Sequence, residues 1–225
     1  MKEKFIVIII LGIIFQSCIT NKYLSSATPT NEITNIEYFE PYSYIQLIKK
    51  GNKSELNDSL SLESKRIIDS VIYSNKNLYK IKNKIIIENS SINEKVENEL
   101  SFLIQSAMQK RKLEGIKITP VIDSILDSRN QRFALGIVGV GFGRKKGNYG
   151  GQVAKGVAVG VLTLGLFAPV PIKSNLSLYS VIIDSQKNEI AFYKKTLPIE
   201  KSPTDPIIIK RQLDKIYENY LFKKK

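Results

Sequence analysis

The chain has 225 residues, 43% hydrophobic and 24% charged, with 34 Lys and Arg against 21 Asp and Glu and a formal net charge of +13. That length and composition suit one well-buried globular domain, and they exclude wholesale disorder and a polytopic membrane protein. With no histidine and one cysteine, the sequence also excludes zinc sites built on His or Cys, Cys-His and Ser-His-Asp nucleophile systems and any internal disulfide.

The chain opens with Met1-Lys2-Glu3-Lys4, continues through an apolar run over residues 5–15, and reaches Cys18 by way of Gln16-Ser17. A basic start, an apolar run and a small residue before a cut are the layout of a secretory signal. The run is shorter than the roughly 20 residues that a helix needs to span a bilayer. A small residue followed by the sole cysteine resembles the lipobox of bacterial lipoproteins, with Phe15 and Gln16 departing from the usual Leu and small residue. The resemblance implies a lipid on the Cys18 thiol, loss of residues 1–17 as a signal peptide, and acylation of the new amino terminus, palmitate included. No Asp follows Cys18, which by resemblance to lipoprotein sorting patterns implies the outer membrane, facing the periplasm. Residues 18–34, rich in Ser, Thr and Asn with Pro29, read as the lipidated cysteine and a flexible tether. One domain is expected over residues 35–225.

Within it, β-branched and aromatic residues over 36–48 predict an extended segment broken at Pro41, and residues 51–58 a polar loop. Leu60, Ile67, Ile68, Val71 and Ile72 recur at helical spacing. Residues 84–88 read as a short strand, and Ser91-Ile92-Asn93-Glu94 as a capping box opening a helix whose Val96, Leu100, Leu103 and Ala107 share a face. Lys110, Arg111 and Lys112 fall in its last turn, where they complement the dipole, and Gly115 supplies a left-handed stop. Thr119-Pro120 opens a short helix to Leu126. Residues 133–142 are apolar on both faces, as in a central strand. Two strands over 176–184 and 189–195 flank a polar turn, and Pro206 starts a helix with an apolar stripe of Ile209, Leu213, Ile216 and Tyr220. The fold class expected from this order is α+β, a mixed sheet with helices packed on one face.

The hairpin, with Leu178-Tyr179-Ser180-Val181-Ile182-Ile183-Asp184, a turn and Glu189-Ile190-Ala191-Phe192-Tyr193, resembles the ending of certain periplasmic lipoprotein domains. These are the curli secretion channel lipoprotein, the lipoprotein activators of penicillin-binding proteins and the amino-terminal domain of TolB. The likeness of element order covers residues 35–196 and implies an envelope domain of that type.

A glycine-rich apolar insertion occupies residues 136–172. It fits neither the phosphate-loop nor the dinucleotide spacing, because Arg144 stands where a third glycine is needed after Gly139-Val140-Gly141. Residues 156–172 are uncharged and contain Gly156-x-x-x-Gly160, so Gly156, Gly160, Val161, Leu164 and Phe167 form either a membrane segment or a packed loop. Gly165, Pro169 and Pro171 argue against a spanning helix. Asp123 and Asp127 share a helix face, as an acid–base pair would, but nothing in sequence converges on them and a solvated face is the plainer reading.

The sequence therefore leads to a membrane-anchored envelope lipoprotein, not an enzyme, binding a protein, glycan or anionic lipid partner, with no cofactor, no metal and no nucleic acid. Its alternative is an oligomeric channel or membrane-remodelling protein that inserts residues 156–170.

Overall fold

The computed structural model of the chain describes residues 23–163 and 171–223. The elements in chain order are β1 (Leu24–Ser25), β2 (Ile36–Phe39), β3 (Tyr42–Lys50), β4 (Lys53–Leu56), α1 (Asp58–Ser74), β5 (Ile81–Ile85), α2 (Ser90–Lys110), α3 (Pro120–Ser128), β6 (Phe133–Arg144), α4 (Asn148–Leu162), β7 (Asn175–Asp184), β8 (Glu189–Lys195) and α5 (Pro206–Tyr217).

The strands form one eight-stranded mixed sheet, so the α+β class holds. Strand β6 is its axis. One side of β6 pairs antiparallel with β7, which is followed by β8 and the short β1. The other side pairs in parallel with β2 at its start, through Tyr38 and Leu135, and with β3 further along, from Tyr42 opposite Val138 to Ile48 opposite Arg144. The break at Pro41 thus divides two strands laid end to end along one neighbour. Beyond them, β5 continues parallel to β2 and β4 antiparallel to β3.

Each face of the sheet carries helices, where helices on one face only were expected. Ile68, Val71 and Ile72 of α1 and Ile209, Leu213 and Ile216 of α5 pack on Phe133, Leu135, Ile137 and Leu178. Val96, Leu100, Leu103 and Ala107 of α2, with Ile122 and Leu126 of α3, pack on Ala134, Val138, Val181 and Ile183. Alternate residues of β6 and β7 therefore enter different cores. Both faces need cover because these strands are apolar on both sides.

Local chemistry sets the helix ends. Asn57 caps α1 by accepting from Leu60 N at 2.9 Å. Helix α2 begins one residue before the expected capping box, with Asn89 accepting from the amides of Ser91 and Ile92. Its left-handed stop is Arg111, at φ 53°, and Gly115 takes its own positive φ in the following loop. The first turn of α3 is capped from α2, since the Glu99 carboxylate accepts from Val121 N and Ile122 N. Asp205 caps α5, accepting from Ile207 N and Ile208 N ahead of Pro206. Replacing Asp205 with alanine should cost about 1 kcal/mol in urea unfolding, the usual value of such a cap.

Three further expectations are corrected. The loop over 51–58 contains β4, a wholly exposed edge strand whose Lys53-Ser54-Glu55-Leu56 carries no apolar alternation. The strand expected at 84–88 lies at Ile81–Ile85, pulled back by pairing with β2. Packing reaches back at least to Tyr23, ahead of the start expected near Asn35: Leu24 and Ser25 pair with β8, Tyr23 packs against Phe192 and Tyr220, and Thr28 and Ile33 are buried. Polar composition suggested a tether there, but Thr28 has a buried acceptor and Ile33 joins the α1–α5 core.

Candidate functional site

Two polar constellations and one exposed apolar end stand out. The first constellation ties the amino-terminal segment to the β7–β8 hairpin. Asp184 is 0% exposed and accepts from Arg132 Nε at 3.0 Å, Arg132 Nη2 at 2.9 Å and Thr28 Oγ1 at 3.0 Å. Arg132 Nη2 also donates to Glu32, and Thr28 Oγ1 to Glu189. Burial by itself would raise the Asp184 carboxyl, but the Arg132 fork and the Thr28 hydroxyl outweigh it and hold the group below the usual carboxylate range. The Asp and Glu that mark the hairpin in sequence are thus clamp residues for the segment before β2.

The second constellation surrounds the β2–β3 break. Lys84 donates to Glu40 and Asp69 at 3.1 Å each, Lys65 pairs with Glu40 at 2.7 Å, and Tyr38 Oη donates to Asp69. Burial opposes ionisation of Glu40, yet Lys65 and Lys84 lower its pKa, while Glu40 and Asp69 raise that of Lys84. The second constellation balances its charges, two lysines against Glu40 and Asp69, whereas the first sets the single cation Arg132 among Asp184, Glu32 and Glu189.

The apolar end is where β6 finishes. Arg144 donates to Ile172 O at 2.7 Å, Gly51 O at 3.0 Å, Asn148 Oδ1 at 2.9 Å and Asn52 Oδ1 at 3.2 Å. One guanidinium thereby fastens the β3–β4 turn, the start of α4 and the approach to β7, and among the described residues its acceptors are all neutral. Between α4 and the end of β6 lies an open cleft of about 420 Å³, in which Arg144, Lys155, Gln152 and Asn52 face Phe142, Val159 and Ile172. Such a lining suits an anionic group attached to an apolar body.

Of the residues singled out in sequence, Gly156 and Val161 lie in α4, Gly156 buried against the cleft and Val161 71% exposed. Gly160 is within the same helix. Cys18, residues 1–17, Leu164 and Phe167 lie outside the described residues. The stretch read as either an inserted segment or a packed loop is thus helical up to Leu162. No described helix is long and apolar enough to cross a membrane. Asp123 and Asp127 lie half-buried and exposed on α3, and among the described residues no three metal-ligating side chains come together. Arg144 entered the sequence reading only as the residue that breaks the dinucleotide spacing. Its role as a hub depends on the parallel pairing of β3 with β6, which no local pattern reveals.

No family model matches the chain, and no curated protein matches it. Solved structures that the chain is similar to include two of PelC and one of LpoB. A PelC dodecamer from Paraburkholderia phytofirmans is 7% identical with a TM-score of 0.36, covering 90% of this chain and 97% of that one. A point variant of the same PelC is 8% identical with a TM-score of 0.38, covering 87% and 94%. The LpoB C-terminal domain from Salmonella enterica is 9% identical with a TM-score of 0.29, covering 74% and 83%.

Proposed function

We propose that this is an envelope lipoprotein, held at the outer membrane by lipid on Cys18, whose domain faces the periplasm and works by binding a protein, glycan or lipid partner rather than by catalysis. The observation that carries the reading is the sole cysteine of the chain, set after Ser17 at the end of an apolar leader and five residues before Tyr23. Two acyl chains already give stable anchoring, at about 0.8 kcal/mol per buried methylene. Support for a non-catalytic role comes from the carboxylates themselves. Asp184, Glu40 and Asp69 are taken up by the cations beside them, and burial with neighbouring carboxylates raises the Tyr38 hydroxyl far above neutral pH.

Cys18→Ala should abolish incorporation of labelled palmitate in cells and leave the leader uncut, while the domain still folds. Palmitate retained in the variant, or never found in the wild type, would sink the anchor. Crosslinking in cells should recover a stable envelope partner, and recovery only as a free monomer would count against the binding role.

A further inference from the structure

We propose that the end of the sheet where β6 finishes is a membrane-docking face, on which α4 lies flat against an anionic lipid surface. The proposal deepens the anchored reading above and rests on it.

Three independent observations converge there. The first is an apolar helix face with no partner among the described residues. Ala154, Val157, Ala158 and Val161 recur at i, i+3, i+4 and i+7, and all are exposed, Val157 at 61%. Ile172, 49% exposed, and Leu197, 54% exposed, add apolar surface at the same end, since Ile172 leads into β7 and Leu197 follows β8.

The second is charge. From Phe133 to Ile183 the chain has no acidic residue. Lys145, Lys146, Lys155 and Lys173 from that stretch are exposed, as are Lys50 and Lys53 flanking the β3–β4 turn. The carboxylates nearby are Glu55, which pairs with Lys49, and Glu200, which accepts from Lys173 N. An apolar helix face bordered by lysines is the chemistry of an interfacial helix on anionic headgroups. The cleft under α4 offers Arg144 and Lys155 to a phosphate.

The third is where the chain comes from. Strand β1 is antiparallel to β8 and β8 to β7, so β1 runs parallel to β7, with Leu24 level with Tyr193 and Val181. Stepping back from Leu24 leads toward Asn175, which pairs with Phe142 at the end of β6. Cys18 stands five residues before Tyr23, a reach of about 18 Å at most. The end that carries α4 thus lies within reach of a lipid on that cysteine.

The test uses the full lipidated protein in vesicles of phosphatidylethanolamine and phosphatidylglycerol. With Cys18 acylated, a thiol introduced by Val161→Cys is the only free one and takes an environment-sensitive fluorophore, as does Lys187→Cys in the β7–β8 turn at the opposite end. Quenching by brominated lipid is expected at position 161 and not at 187. Replacing Val157 and Ala158 with Asp in the Val161→Cys background should reduce the quenching about tenfold. Protein on vesicles with no quenching at 161 overturns the docking face and leaves the anchor standing. A concentration-dependent blue shift at 161 without lipid quenching also overturns it and makes a second copy of this chain the occupant. If mass spectrometry finds Cys18 unmodified, the anchor fails separately. Docking then stands if flotation with phosphatidylglycerol vesicles is lost in the double Asp variant, and falls if the protein never floats.

Discussion

Gly141→Ala should destabilise the domain by about 3 kcal/mol, the upper range for overpacking a core. A β-carbon at Gly141 would sit 2.2 Å from the carbonyl oxygen of Asn175. Because the obstacle is backbone in the paired strand β7, relief requires moving a strand. The neighbouring glycines of β6 grade the effect. At Gly136 the obstacle is Leu100 Cδ2 at 2.5 Å, the end of a side chain that can rotate within its core, so about 1 to 2 kcal/mol is expected. At Gly143 the nearest atom, Leu60 Cδ1, is 3.7 Å away, an ordinary contact. Alanine there should be neutral or stabilise by roughly 0.5 kcal/mol through the unfolded chain. Equilibrium urea unfolding of the three variants reads the order directly. A Gly141→Ala protein as stable as the wild type would mean that β6 and β7 separate without cost.

Arg132→Met should cost about 3 kcal/mol at neutral pH, because it leaves the Asp184 carboxylate buried without its cation. Its pH dependence is the sharper readout. In the wild type the folded pKa of Asp184 is depressed, so its contribution is complete above the ordinary carboxylate value of about 3.9 and is lost as pH falls through the folded value. Without Arg132, burial is the dominant influence and the folded pKa rises. The variant should then gain stability as pH is lowered from neutral toward about 4, a range in which Asp184 contributes no slope in the wild type. Asp184→Asn should flatten both slopes. Thermal melts across this range that run parallel for wild type and Arg132→Met would dismiss the clamp.

Much of the sheet was legible because its signals are local. The 133–142 run, the 176–195 hairpin and the helices carrying Val96 to Ala107 and Ile209 to Ile216 announce themselves by period and by turn residues, and the structure has them. What was not legible depends on residues far apart. Residues 25–34 read as a linker because their burial rests on Thr28 meeting Asp184 and on Ile33 entering a core made by α1 and α5. Strand β4 exists by pairing with β3, with Leu47 opposite Glu55 and Ile48 opposite Ser54. Helix α4 was obscured by composition. Glycine disfavours helix by about 1 kcal/mol each, and four of them stand in Asn148–Leu162. The positive-φ Gly147 marks its start and the Arg144 hub holds it in place. At the candidate docking face, the apolar stretch could be read in the sequence, but that it shares one end with Lys50, Lys53 and Lys173 follows only from strand directions.

The parallel seam between β3 and β6 also bears on the order in which the molecule can assemble. Tyr42 pairs with Val138 and Ile48 with Arg144, so the seam cannot close until a long intervening stretch has been made. Non-local pairing of this kind slows folding, because chain entropy is lost before contacts return it. Synthesis runs from the amino end, so the strands before β6 emerge without the neighbour that holds them. Ile36, Tyr38 and Ile45, all buried in the finished sheet, stay uncovered in that interval. The nascent amino-terminal half thus carries uncovered apolar strands, and β6 is the piece whose arrival gives them their neighbour.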